Sequence, residues 1–366
     1  MKKIMFMLSN MNVGGTEKAL LNLLNIIPES EYDVTVLLLE KTGGFMNQIP
    51  SWVKLEELVG WSENKELVLD PPFNLAKKYF KQKNFSTCFN ILFLHLFSKI
   101  TGNRERYYKY VLPNFGKCSS FYDIAVAYAG PMDFITQYIL DVVSADRKIQ
   151  WIHFDVSKFC FNTNYAKNVY PRFDKIYAVS DCAKDKLLEL IPEVETITET
   201  MHNVVSKNLC VEQALNENGF SDEFNGTRIL TVGRLSKEKG QDIIPFVVEK
   251  LVLEGYKFKW YLIGDGALYT PIENIIKEKN LGDYLTLLGT KTNPYPYYKD
   301  CDLYVQTSHH EGYCITIAEA LVFDKYVITT DVAGAHDQIK NKSQGVICAC
   351  DAQSIFNEVK RFLSEN

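Results

Sequence analysis

The sequence predicts an α/β protein made of two doubly wound domains. Three observations carry this reading. Short apolar runs alternate with helical patterns along the chain, the alternation stops at a polar, glycine-bearing stretch and then restarts, and loops rich in glycine or charge stand directly after the runs. At 366 residues the chain has room for two ordinary domains, and 46% hydrophobic with 23% charged residues suits packed globular cores.

The elements follow in order. MKKIMFML opens the chain, too short an apolar run for a secretion signal and with no small-residue cleavage site after it. It reads as a buried strand over 3–9. Further strands are expected at 33–40, 124–129, 148–154 and 175–180, with helices at 16–27, 131–144 and 181–190 between them. Strands joined through crossover helices imply a parallel sheet covered on both faces. The stretch 200–227, with Asn216, Asn218, Gly219, Asn225 and Gly226, reads as the interdomain linker. A second series then gives strands at 228–235, 259–266, 285–289, 302–308, 326–332 and 345–350, and helices near 240–254, 270–280, 315–323 and 351–363. The expected domains are 1–205 and 206–366. No apolar run reaches the roughly 18 residues that a membrane span needs.

Charge narrows the function. Residues 1–205 hold 23 basic and 23 acidic groups and residues 206–366 hold 17 and 22, so neither half reads as a nucleic-acid binder. Nine cysteines without a C-x-x-C pair read as reduced thiols in a cytoplasmic protein.

In open α/β sheets ligands bind beyond the carboxyl ends of the strands, and the distinctive residues lie there. After the first strand come Gly14 and Gly15, then Thr16 and Glu17 at a helix start, where backbone can approach an anion. This is not a G-x-G-x-x-G dinucleotide fingerprint, and a plain strand-to-helix turn capped by Thr16 stands as the simpler alternative. The loop 233–240, GRLSKEKG, offers Arg234 and Lys239 to one anion, although a solvated charged loop would look the same. After the strand at 302–308 comes His309-His310-Glu311, then Gly312, Tyr313, Cys314 and Ile315 at the start of a helix whose N–H groups at 313–315 suit a phosphate. Glu319, embedded among Ile317, Ala318, Ala320 and Leu321, can accept two hydroxyl hydrogen bonds, as from a ribose. Glu311 would face whatever the diphosphate carries. His309-His310-Glu311 lacks the H-E-x-x-H spacing of a zinc helix, and Asp300-Cys301-Asp302 leads into a strand, where an edge role is favoured over metal binding. No metal site is expected.

Together these motifs resemble the retaining glycosyltransferases of family four, which have the GT-B fold, two Rossmann-like domains facing a central cleft. The likeness rests on the E-x7-E spacing of Glu311 and Glu319, on GRLSKEKG at 233–240, and on GGTE at 14–17. It also draws on Trp151-Ile152-His153, Ala178-Val179-Ser180, Ile263-Gly264-Asp265-Gly266 and Leu287-Leu288-Gly289, and it runs from residue 1 to about 363. The resemblance implies that Arg234 and Lys239 grip the donor diphosphate, Glu319 binds ribose, and Glu311 contacts the donor sugar near the reacting carbon. It further implies that His153 reaches sugar and acceptor from the other domain. The segment near Lys291 would meet the base through its main chain, and Gly14 and Gly15 would line the cleft opposite the phosphates. The implied reaction moves a sugar from a nucleotide donor, expected to be UDP-linked, to a hydroxyl acceptor, with no cofactor or metal. Two other readings share the architecture: a UDP-sugar epimerase and a catalytically silent partner subunit. The chain departs from the family in two ways. Tyr313-Cys314 stands where members often have Phe-Gly, and the chain ends at Asn366 where members usually continue, as a short member or a shortened chain would.

Residues 71–120 carry nine basic groups and one acidic group, with seven or more aromatics interleaved. Phe73, Ala76 and Phe80 recur at helical spacing beside Lys77, Lys78 and Lys81. FNILFLHLF (89–97), apolar all round, is expected to be a buried helix anchoring this segment. A basic, aromatic surface here suits the anionic inner face of a cell membrane, with a solvated helical face as the alternative. Because acceptors in the resembled family are often lipid-linked glycans, peripheral docking through 71–120 is expected.

Overall fold

A computed structural model describes residues 1–157 and 161–365. It falls into two compact units, Met1–Asn12 with Ile27–His202, and Val13–Ile26 with Asn203–Asn366.

The first unit holds a seven-stranded sheet of β1 (Lys2–Leu8), β2 (Tyr32–Leu38), β3 (Lys54–Glu57), β4 (Phe121–Gly130), β5 (Ser144–Ile152), β6 (Lys175–Ala178) and β7 (Thr198–Thr200). Its order is β3-β2-β1-β4-β5-β6-β7, and every pairing is parallel. β1 and β2 each end in five consecutive buried residues. This is how a strand covered on both faces reads in sequence. The two strands that the apolar pattern does not reveal are β3 (KLEE) and β7 (TET), which are short and polar and form the two edges. Short, charged edge strands deter pairing with other chains, and the same property hides them from a hydrophobic pattern.

The second sheet comprises β8 (Thr227–Val232), β9 (Phe258–Ile263), β10 (Leu285–Gly289), β11 (Leu303–Gln306), β12 (Tyr326–Thr330) and β13 (Gly345–Cys348), in the order β10-β9-β8-β11-β12-β13, all parallel. All six are strands expected from the sequence. Ile229, Trp260, Leu262, Leu303, Val305 and Ile328 form the centre of its main core, closed by Ile355 and Val359 of the helix Ala352–Glu365. The strand order reverses between β8 and β11, and such a switch point is where open α/β sheets bind ligands.

The helix Gly15–Ile26 stands between β1 and β2 in sequence, yet it belongs to the second unit. Asn22 on this helix is fully buried, and its Oδ1 accepts the Ser206 backbone N–H at 2.9 Å. Ser206 in turn caps the helix Lys207–Leu215, which occupies part of the stretch expected to be linker.

The segment FNILFLHLF departs from expectation. It lies in the helix Phe85–Thr101, capped by Asn84 and ended by Gly102 at φ 66°. Among its residues only Ile91 and Ser98 are buried. Phe85, Phe89, Phe93, Leu96 and Ile100, three or four residues apart, are each more than half exposed. The helix is therefore a surface element with a solvent-facing apolar stripe. An all-round apolar pattern reads as burial when nothing else is known. Here one side packs, through Ile91, against the helices Pro72–Lys81 and Glu105–Val111, and the other side has no cover among the described residues. On Pro72–Lys81 the packed residues are Leu75 and Ala76, while Phe73 and Phe80 point outward, so the expected Phe73–Ala76–Phe80 face is split.

Candidate functional site

The loops after β8 and β11 are held together by hydrogen bonds. His309 N–H donates to the Glu238 carbonyl at 2.8 Å, and the Thr307 hydroxyl donates to the Lys239 carbonyl at 2.9 Å. Gly240 closes the first loop at φ 64°, and a Cβ there would lie 2.2 Å from the Thr307 carbonyl oxygen. Only glycine permits that approach.

The approach brings Lys239 onto Glu311, with Nζ 2.5 Å from Oε1. The same Oε1 accepts from the Ser308 hydroxyl at 2.6 Å and from Gln306 Nε2 at 3.0 Å. Burial opposes the Lys239 charge, but the attraction of Glu311 and the hydrogen bond to it outweigh burial and hold the Lys239 pKa above its ordinary value. Arg234, on the same loop, is exposed. Glu17 senses its charge: burial raises the Glu17 pKa, and its own backbone and Arg234 only partly offset this.

The helix Ile315–Val322 begins at Cys314, which is buried and left-handed at φ 53°. Gln338 Nε2 donates to the Tyr313 and Cys314 carbonyls, and Gly334, at φ 79°, passes against Tyr313. The carbonyls of this turn are thus bound on one side, and the helix start at 313–315 carries the N–H groups that an anion would use. Cys314 occupies the place where the resembled family often has glycine, and its positive φ gives that preference a physical cause. Gly312 is buried beside it.

Glu319 is 2% exposed, one turn into the helix. Its Oε1 accepts from the Tyr295 hydroxyl at 3.0 Å and lies 4.0 Å from Lys18 Nζ, which in turn sits 4.2 Å over the Tyr295 ring. Burial pushes the Glu319 pKa up, while Lys18, Tyr295 and Tyr298 pull it down without cancelling the rise. Lys291 follows β10, with Nζ 6.0 Å over the Tyr297 ring. Gly14 precedes the helix Gly15–Ile26; a Cβ on it would meet the Glu17 carboxylate at 2.5 Å, whereas Gly15 has open space.

In the first unit, His153 follows β5 and is buried. Burial drives its pKa down to about 3, against a smaller opposing effect from the Tyr128 carbonyl. The imidazole is therefore neutral at physiological pH. Its Nε2 is buried with no hydrogen-bond partner among the described residues. Asp302 pairs with Arg228 across the central strands β8 and β11, accepting its N–H at 2.8 Å and donating its own to the Arg228 carbonyl at 2.9 Å. Among the described residues no cluster of three His, Cys, Asp or Glu could hold a metal.

The second unit thus collects Gly14, Gly15, Arg234, Lys239, Lys291, Glu311, the turn 312–315 and Glu319. Sequence reasoning missed Lys18, Asn22, Tyr295, Gln306 and Ser308. Asn22 had a signal: a polar residue inside the otherwise apolar run ALLNLL (19–24).

Residues 218–366 match the family model Glycosyl transferases group 1. That stretch carries Arg234, Lys239, Glu311 and Glu319. The chain is similar to N-acetylgalactosamine-N,N'-diacetylbacillosaminyl-diphospho-undecaprenol 4-alpha-N-acetylgalactosaminyltransferase of Campylobacter jejuni, 27% identical over 54% of this chain and 53% of that protein. It is also similar to poly(ribitol-phosphate) alpha-N-acetylglucosaminyltransferase of Staphylococcus aureus, 28% identical over 32% of this chain and 24% of that protein. The chain therefore matches about half the length of the first relative and less of the second. Among solved structures, Anabaena HepE in complex with UDP-glucose superposes with a TM-score of 0.69 at 16% identity, covering 100% of this chain and 90% of HepE. S. aureus TarM superposes with a TM-score of 0.67 at 14% identity, covering 100% and 92%. The fold is GT-B.

Proposed function

We propose that this chain is a retaining glycosyltransferase that moves a hexosyl group from a UDP-linked donor to a hydroxyl of a lipid-linked glycan. The observation that carries the reading is the Lys239–Glu311 pair at the β8–β11 switch point, within the segment that matches the group 1 glycosyl transferases. A carboxylate and a cation in contact suit a reaction that separates a positive sugar carbon from a negative diphosphate. Arg234, Lys239 and the N–H groups at 313–315 stabilise the leaving diphosphate without a metal. Glu319 holds the ribose, the main chain near Lys291 meets the base, and Gly14 and Gly15 leave room for the phosphates. Glu311 orients the sugar and supports its oxocarbenium-like carbon. His153, neutral and with Nε2 unpaired, accepts a hydroxyl of sugar or acceptor. The bond from the anomeric carbon to the diphosphate breaks, the bond to the acceptor oxygen forms on the same face, and a diphosphate oxygen takes the acceptor proton.

The C. jejuni relative is named for a diphospho-undecaprenol-linked substrate, which supports a lipid-linked acceptor. So does the exposed stripe Phe85, Phe89, Phe93, Leu96 and Ile100, flanked by exposed Lys77, Lys81, Lys83, Lys99 and Arg106. An apolar face bordered by cations suits the anionic inner leaflet, and peripheral docking there would bring the enzyme to its acceptor.

The test is incubation with a panel of UDP-sugars, with and without a lipid-linked glycan, reading UDP release and the anomeric configuration of the product. Acceptor-dependent release with a retained anomer is expected. An inverted anomer removes the retaining mechanism, a changed sugar without acceptor marks an epimerase, and no change with any donor marks a silent subunit.

A further inference from the structure

The helix Gly15–Ile26 follows β1 of the first sheet, but its Lys18 and Asn22 contact residues of the second unit. Lys18 is 5% exposed, an unusual state for a lysine, and its ammonium lies between the Glu319 carboxylate and the Tyr295 ring. One turn on, Asn22 fixes the helix: its Nδ2 donates to the Lys18 carbonyl at 3.0 Å while its Oδ1 accepts from Ser206 N–H at 2.9 Å. Lys18 is therefore held at a set depth by a neighbour with its own partner.

Building on the reading of Glu319 as the ribose-binding carboxylate, we infer that Lys18 is a positioning residue for the nucleotide, keeping Glu319 ionised and aimed as an acceptor. The chemistry requires such a group. An ionised carboxylate accepts at both oxygens, whereas a protonated one turns one of them into a donor and loses half its match to a pair of ribose hydroxyls. Burial favours the protonated form, and burial dominates at Glu319. The groups around it are Tyr295 and Tyr298 from the helix Tyr295–Asp300, Cys210 from Lys207–Leu215, Tyr304 from β11 and Lys18 from Gly15–Ile26. Of these Lys18 alone carries a basic amine; burial lowers its pKa, and the attraction of Glu319 at 4.0 Å works against that loss of charge. The Tyr295 hydroxyl can direct the carboxylate, but it carries no charge to offset desolvation. Cys210 has its pKa raised to about 12, first by burial and then by Glu319, so it is a neutral thiol here.

The experiment uses the full chain, with Lys18→Met and Lys18→Arg, and two readouts. The first is titration of the Glu319 side chain by carbon NMR, assigned with Glu319→Gln. The second is uridine binding across pH 5 to 9, uridine carrying the ribose and no phosphate that titrates in this range. Lys18→Met should raise the Glu319 pKa by about one unit or more, the scale of losing a nearby opposite charge. The fall in uridine affinity on acidification should move to higher pH by the same amount, with about tenfold weaker binding near neutrality. Lys18→Arg should restore both, which a purely structural loss would not predict. In a Glu319→Gln background Lys18→Met should have no further effect on the pH profile. A Glu319 titration unmoved by Lys18→Met overturns the inference, as does a loss of affinity that persists unchanged in Glu319→Gln. If Glu319→Gln itself binds uridine like the wild type, the ribose reading fails, and that result is distinct because the carboxyl titration reports on Lys18 without any ligand.

Discussion

Glu311 and Lys239 neutralise each other in this structure, so each is a handle on the other. Glu311→Ala should leave UDP affinity intact or improve it, because Lys239 is released to the diphosphate. Turnover should fall by about 10² or more, the size of a lost transition-state electrostatic contact. Calorimetry with UDP and initial rates check the two halves, and near-normal turnover removes Glu311 from the chemistry. Lys239→Ala should weaken UDP by about 1.5–3 kcal/mol, the range for hydrogen bonds to charged groups, and barely affect uridine. A different residue sets a pH dependence of folding. Burial raises the Asp133 pKa to about 7, with Arg104 opposing, so the folded state prefers the protonated acid. The stability this group contributes is full below its unfolded pKa and is lost as pH rises through about 7. Asp133→Asn should therefore raise the melting temperature at pH 8 and leave it nearly unchanged at pH 4, as thermal unfolding at the two values will show. The Glu311–Glu319 spacing was readable in sequence because both glutamates flank a helix start, where their directions follow from the turn. Lys18 was not, because nothing in one sequence says that a lysine near a helix start turns toward a glutamate 301 positions on rather than into water.

At the scale of the element, Gly240 and the helix Phe85–Thr101 make opposite points. The glycine in GRLSKEKG was legible as part of a loop, and the structure supplies its reason in the closeness of Thr307. Gly240→Ala combines a left-handed backbone with a backbone clash, so it should cost about 2 kcal/mol or more of stability and weaken UDP binding by parting the loops after β8 and β11. Denaturant unfolding and calorimetry test this, and wild-type values in both refute the stitched-loop account. The helix Phe85–Thr101 misled because hydropathy counts apolar residues and cannot say whether a neighbour covers them. Its stripe yields a prediction that a buried helix would not. Phe89→Ser with Phe93→Ser and Leu96→Ser should leave the fold and uridine binding unchanged and sharply reduce sedimentation with anionic vesicles. Fully burying such a side chain is worth about 1.5–3 kcal/mol, so part of the wild-type binding should survive high salt. Wild-type protein that ignores anionic vesicles at low salt would point to a soluble acceptor.

For the molecule as a whole, the repeated doubly wound pattern was visible because parallel strands buried on both faces are written as continuous apolar runs, whichever sheet they join. The assignment of residues 13–26 was not visible, because an amphipathic helix shows that it has a buried face and not which core receives it. A polypeptide of residues 203–366 contains Arg234, Lys239, Glu311 and Glu319 but lacks Lys18 and Asn22. It should bind uridine more weakly than the full chain, and equal affinity would show that the helix Gly15–Ile26 is dispensable to the nucleotide. This assignment also bears on recombining chains of this fold. A single crossover near residue 205 pairs the recipient's helix with the donor's glutamate, two side chains that have never been matched. A hybrid that carries residues 13–26 along with 203–366 needs three junctions, and it is the one that inherits the lysine and the carboxylate together.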